Sequence, residues 1–233
     1  MALQEMWIDD VSVAERVIGA LQSKQGVALI ELPTVFALFA APTQRGAAAL
    51  DTAKQRLPGK NYGSVVGDIH RFVRLAVSKS LAPAVADAEQ WGFLEGSFVR
   101  LQIGAESMST PAVRNGTHQS LLLPSGAHRQ LFCTIESEGL GRPGELFGDL
   151  QVNVPLCTSA NLSGHPEGSI TTLEKAREFA HMLDLDLLVR QPTHEGERGS
   201  FPIVSLLGGQ ARIERRGPGI EALESALAQR GLR

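Results

Sequence analysis

The sequence predicts an α/β fold on a mixed parallel and antiparallel sheet. Three observations carry that expectation. Short apolar runs alternate with amphipathic stretches along the chain, the pattern of strands interleaved with helices. Near the C-terminus, Gly208-Gly209 separates two alternating runs, the signature of an antiparallel hairpin. Apolar runs such as Val35 to Ala41 fall below half of the roughly 20 residues that span a bilayer, so no membrane association is expected. With no internal repeat and no clear linker, residues 1–233 are expected to form one domain.

Within Val11 to Gln22, the residues Val13, Val17, Ile18 and Leu21 share one helical face, and Gly26 ends the pattern. Val27 to Leu32 then reads as a buried strand closed by Pro33-Thr34. Thr43 is positioned to cap a helix over the Ala-rich segment Gly46 to Arg56, which Pro58-Gly59 stops. Tyr62 to Val66 is the next predicted strand. Ile69 to Ser78 and Pro83 to Gln90 read as helical, and Phe98 to Ile103 alternates as a half-buried strand. Between Gly104 and Leu150, loop-forming residues interrupt short apolar pieces, and Leu121 to Leu123 and Leu131 to Ile135 are predicted strands. Thr171 with Glu174 forms a capping-box pattern for a helix to about Leu183, followed by strand Leu185 to Val189. Gln191 to Gly199 reads either as a solvated connection or as a mobile flap. Ile203 to Leu207 and Ala211 to Glu214 form the hairpin, and Ile220, Leu223 and Leu227 mark a closing helix.

The net charge of -3 supplies no overall field for nucleic acid or anionic lipid, so any such binding requires a local patch. Cys133 and Cys157 are the only cysteines, too few for a disulfide scaffold and in keeping with a reducing compartment. Met1 to Asp10 lacks the basic segment and apolar run of a secretory signal, and a soluble, cytoplasmic protein is expected. The six histidines are scattered, none pairing with another at metal-ligand spacing, so no metal ligands are expected. Gly139 to Gly144 matches a dinucleotide-binding spacing, but Cys157 to Asn161, where the acidic partner belongs, contains no acid.

Pro155 to Gly164 reads Pro-Leu-Cys-Thr-Ser-Ala-Asn-Leu-Ser-Gly. Short hydroxyl and amide side chains admit a ligand close to the backbone and donate to phosphate oxygens, giving an anion cradle in composition. A polar turn that caps a helix has the same composition. Lys54, Arg56 and Lys60 form a basic helix end, which fits either a ligand or the helix dipole alone.

In combination these segments resemble the YrdC-like family, the threonylcarbamoyl-AMP synthases of tRNA threonylcarbamoyladenosine formation. Thr158 to Gly164 is similar to the family's signature, with its Ser-x-Asn nucleotide-binding element at Ser159 and Asn161. Lys54-Gln55-Arg56 is similar to its Lys-x-Arg element, and Pro33-Thr34 to its Pro-Thr. Ile203-Val204 with Arg212 to Gly217 resembles its strand pair, placing Arg215 on the ATP-binding arginine.

The resemblance implies a twisted mixed sheet with flanking helices and a concave basic cleft. It implies synthesis of threonylcarbamoyl-AMP from L-threonine, bicarbonate and ATP, with Mg²⁺ on the triphosphate. Lys54 and Arg56 would act in catalysis, and with Ser159, Asn161 and Arg215 would bind the nucleotide. Thr34, Lys60, Asn61, Cys157 and Ser200 would bind substrate. Contact with tRNA or a tRNA-modifying complex belongs to the same expectation.

Several positions depart from the family pattern. After Pro33-Thr34 two residues are missing, and Phe36 and Phe39 stand where the family has tyrosine and glycine, predicting a narrower, more apolar amino-acid pocket. Leu57 to Tyr62 continues atypically, and no Trp-Pro-Gly-Pro turn surrounds Trp91. The segment of about 97–150 is divergent or inserted. The family's Val-Arg element falls on Val113-Arg114, or is lost with Thr134-Ile135-Glu136 in its strand, the alternative that spacing to Ser159 favours. Two other functions fit the sequence: synthesis of a related carbamoyl adenylate, and non-catalytic binding of nucleotide or RNA.

Overall fold

A computed structural model describes residues 3–55, 62–77, 80–104, 111–141, 154–162, 168–192 and 196–232. Strands β1 (Gln4–Trp7), β2 (Val27–Glu31), β3 (Phe36–Ala40), β4 (Gly63–Val66), β5 (Ser97–Gln102) and β6 (Thr117–Leu122) come first in the chain. They are followed by β7 (Leu156–Ser159), β8 (Leu187–Arg190), β9 (Ile203–Leu207) and β10 (Gln210–Arg215). The helices are α1 (Val13–Gln22), α2 (Gln44–Lys54), α3 (Ile69–Leu75), α4 (Ala127–Gly141), α5 (Leu173–Met182) and α6 (Ile220–Gln229).

All ten strands join one mixed sheet in the order β1-β8-β2-β3-β7-β4-β6-β5-β9-β10. Both faces are covered around β2 and β3, every residue of which is buried. Ala28, Ile30, Ala37 and Phe39 pack with α1 and α4, whereas Leu29, Phe36 and Leu38 pack with α2 and α5. Burial on two faces explains why these strands read as continuous apolar runs rather than alternating ones. The other half of the sheet packs Val99, Leu101, Leu122 and Val204 against α3, α6 and Trp91, which lies in a 3-10 helix.

The predicted strand Leu131 to Ile135 is instead part of α4. Its buried residues are Leu131, Phe132, Ile135, Glu136 and Gly139, a helical stripe disguised by a carboxylate in the apolar face. The Glu136 carboxylate accepts from the amides of Gly67 (3.2 Å) and Asp68 (3.0 Å), capping α3 from another helix. Burial pushes its pKa up, opposed by those amides and by Arg71. The helix cap expected at Thr171 is one residue later: Thr172 Oγ1 accepts from the Lys175 amide. Helical expectation over Pro83 to Gln90 resolves into two 3-10 segments, Pro83–Val85 and Ala88–Leu94. Three strands were not anticipated: β1, β3 and β7.

The hairpin needs its glycines. Gly208 and Gly209 adopt φ of 62° and 77°, the left-handed pair of a tight turn that matches strand twist.

Candidate functional site

A cleft of about 500 Å³ opens where α2, β3, β5, β6, β7 and β10 meet the segment preceding β9. That volume lies in the range of small-molecule sites. Its polar wall begins with Lys54, the last residue of α2. Thr43 Oγ1 accepts from the Gly46 amide at the other end of this helix, and Gln55 takes a left-handed φ of 47° to stop it. Lys54 therefore sits at a helix C-terminus, where a cation complements the dipole.

Lys54 is only 5% exposed. Its Nζ donates to the Ser159 carbonyl (2.7 Å) and Asn161 Oδ1 (2.8 Å), with Ser159 Oγ at 3.4 Å. Ser159 Oγ also donates to Asn161 Oδ1 at 2.9 Å, and Asn161 Nδ2 donates to the Leu162 carbonyl at 2.9 Å. The Ser-x-Asn element is thus fixed to the lysine. Pairing of β7 with β3, Ser159 opposite Ala37, sets its position, and the Ala160 amide extends that ladder to the Phe36 carbonyl.

Elsewhere in the lining Arg215 donates through Nε and Nη2 to the Phe201 carbonyl, at 2.9 and 2.6 Å. Burial lowers the guanidinium's pKa, partly offset by Cys157 nearby, although an arginine stays protonated at physiological pH. Arg100 donates to Glu214 (2.8 Å) and Gln119 (2.6 Å). The half-buried Arg114 guanidinium has no hydrogen-bond partner among the described residues. Lys54, Arg100, Arg114 and Arg215 all line the cleft, and no Asp or Glu does among the described residues. With Arg100 paired to Glu214, the lining still presents more positive than negative side chains among the described residues, a composition suited to an anion.

No protein-family profile matches the chain, and no curated protein matches it. Solved structures do match its fold. E. coli YciO superposes with a TM-score of 0.61 at 15% identity over 95% of this chain and 100% of that one. The fold is the YrdC-like fold. Sua5 of P. abyssi, complexed with L-threonine, matches with a TM-score of 0.62 at 14% identity over 93% of this chain. Full-length HypF in a phosphate- and nucleotide-bound form matches with a TM-score of 0.62 at 19% identity over 90%. The chain spans 58% of that Sua5 chain and 30% of HypF.

On this YrdC-like scaffold the structure brings Lys54, Cys157, Ser159, Asn161, Ser200 and Arg215 to one cleft from distant parts of the chain. Arg56, Lys60 and Asn61 lie outside the described residues. Thr34 is not among the residues lining the cavity; its Oγ1 donates to the Gly199 carbonyl at 2.7 Å, so the side chain holds the neighbouring loop. Ser200 lines the cavity with its Oγ 2.7 Å from Ser169 Oγ.

Two expectations about the cleft are corrected. Phe36 and Phe39 are fully buried on opposite faces of β3, outside the cavity lining, where Val35 and Ala37 stand instead. The aromatic rings therefore do not narrow the pocket. Thr134-Ile135-Glu136 lies in α4 and occupies no strand, whereas Arg114, beside Val113, reaches the cleft. Sequence reasoning overlooked Arg100 and Gln119. Alternation along β5, which buries Val99 and Leu101 and puts Phe98 and Arg100 on the cleft side, was the available signal for Arg100.

Among the described residues no helix is long and apolar enough to cross a membrane, and no group of three or more His, Cys, Asp or Glu side chains could hold a metal.

Proposed function

We propose that this chain is a nucleotidyltransferase-like enzyme that makes threonylcarbamoyl-AMP from L-threonine, bicarbonate and ATP. The observation that carries this reading is the cleft lined by Lys54, Arg100, Arg114 and Arg215 without a carboxylate among the described residues. A triphosphate and a carbamate are both anions, and such a lining suits both. The YrdC-like fold, shared with a Sua5 structure holding L-threonine and a HypF structure holding phosphate and nucleotide, supports the choice of substrates.

In this reading the threonine amine forms a C–N bond to bicarbonate carbon, a C–O bond breaks with loss of water, and a carbamate results. Its oxygen attacks the ATP α-phosphorus, the new P–O bond forms, and the bond to the β-phosphate oxygen breaks with its electron pair leaving on pyrophosphate. Such transfer asks for positioning and for charge placed around the phosphorus, and no covalent nucleophile is required. Arg215 spends two donors on one carbonyl, which leaves others of the guanidinium fork for phosphate oxygens. Lys54 adds charge from behind the Ser-x-Asn element, and Ser159 and Asn161 hold the nucleotide in register. With no carboxylate among the described lining residues to ligate a cation, Mg²⁺ enters on the nucleotide, bound by phosphate oxygens and water. Transfer to tRNA falls to a separate tRNA-modifying complex, in line with the net charge of -3.

Incubation with ATP, bicarbonate and each amino acid in turn, with pyrophosphate as the readout, tests the reading. Threonine-dependent release is expected. Release with a different substrate reassigns the chain to another carbamoyl adenylate, and no release in any mixture removes the enzyme assignment.

A further inference from the structure

Glu31 closes β2, 8% exposed, and does not line the cleft. Its Oε1 accepts from Arg198 Nη2 at 3.0 Å and its Oε2 from the Gln191 amide at 3.2 Å. One carboxylate therefore holds both Gln191 and Arg198. Arg198 reaches further: Nε and Nη2 donate to the Thr171 carbonyl at 3.1 and 2.7 Å, and Nη1 to the Pro33 carbonyl at 3.3 Å. Its planar fork ties its own segment to two others, residues 31–33 and Thr171, which a lysine's single ammonium centre does not reproduce.

The next residues form the cleft wall. The Gly199 amide donates to the Thr34 carbonyl at 2.8 Å and its carbonyl accepts from Thr34 Oγ1 at 2.7 Å. Ser200 and Phe201 then line the cavity, and the Phe201 carbonyl accepts both donors of Arg215. We propose that Glu31 and Arg198 form a clasp that positions this wall and, through the Phe201 carbonyl, aims the Arg215 guanidinium into the cleft. Both are positioning residues, outside the cavity lining. Of the segment expected to be either a solvated connection or a flap, residues 193–195 lie outside the described residues, and Gln191 and Arg198 on either side of them are both held by Glu31. The ligand-binding consequence rests on the nucleotide reading above; the geometric one does not.

Exchange of the Arg215 Nε–H and the Gly199 amide with solvent, followed by NMR in the full chain, tests the clasp without a ligand. In Arg198→Met both signals are expected to exchange about tenfold faster or more, while the Leu29 and Leu38 amides of the core keep their rates. Arg198→Lys and Glu31→Gln are expected to fall between, and they carry the same comparison if Arg198→Met does not fold. ATP affinity measured on the same proteins is expected to fall about tenfold in Arg198→Met, and to change little when Arg198→Met is added to Arg215→Gln, because both act through one guanidinium. Unchanged exchange at Arg215 in the folded variants overturns the clasp, as does full additivity of the two substitutions. Faster exchange in a protein whose wild type has no affinity for ATP upholds the clasp and overturns the nucleotide reading.

Discussion

Lys54 and His118 are both nearly sealed from water, 5% and 1% exposed, and they satisfy their nitrogens in different ways. Lys54 surrounds its ammonium with oxygens of Ser159 and Asn161. Asn161→Ala removes one of those acceptors, and a lowered urea midpoint is expected, equivalent to about 1.5–3 kcal/mol for a hydrogen bond to a charged group. Asn161→Asp keeps the acceptor and adds negative charge; stability within about 1 kcal/mol of wild type is expected, with ATP affinity reduced about tenfold by repulsion of phosphate. Calorimetry and chemical unfolding on the same variants separate the two effects. His118 instead lies between the Ala112 carbonyl and Ser64 Oγ, each 2.9 Å away, a pairing that suits the neutral ring with its proton on Nδ1. Burial pushes its pKa down to about 4. An unfolded histidine titrates near 6.5, so between those values the unfolded chain binds more protons. The contribution of this group is therefore expected to be full above about pH 6.5 and to fall by about 1.4 kcal/mol per unit as pH drops toward 4. Thermal melts across that range should show the slope in wild type and a shallower one in His118→Asn.

Close approaches between elements fix the cleft as firmly as its polar contacts do. A Cβ on Gly217 would lie 2.2 Å from the Ser200 carbonyl oxygen and 2.9 Å from the Pro202 nitrogen, so Gly217→Ala must displace the wall that holds Arg215. A loss of about 1–3 kcal/mol in unfolding free energy is expected from such overpacking, together with weaker ATP binding by calorimetry. The hairpin of β9 and β10 was legible in the sequence because a glycine pair states its turn directly. β7 was not, because half of it is Thr158 and Ser159, hydroxyl residues that read as a turn when their neighbours in the sheet are unknown. In α4 the buried Glu136 broke an apolar stripe that would otherwise have declared a helix. Local signals mislead where a residue's role is set by a distant partner, and in this chain those places include the cap on α3 and the floor of the cleft.

At the level of the whole molecule, periodicity shows which side chains share a face of a strand but not which strands are neighbours. The sheet order, and with it the meeting of Lys54, Arg100, Ser159 and Arg215, could not be read from the alternation alone. Resemblance supplied Lys54, Ser159 and Arg215 but not Arg100. Because the cleft is cationic within a chain of net charge -3, ATP binding should depend on local rather than overall charge. Raising NaCl from about 0.05 to 0.5 M, which shortens the Debye length from about 14 to about 4 Å, is expected to weaken ATP binding measurably, and an affinity insensitive to salt would count against charge as its main source. The same strand order has a consequence for synthesis. β2 and β3 pair with each other early, yet their outer neighbours, β8 and β7, are encoded more than a hundred residues later. A nascent chain on the ribosome therefore carries an apolar hairpin with both edges bare until β7 is made and with one edge bare until β8 follows, a hazard for edge-to-edge association that synthesis of those two strands removes.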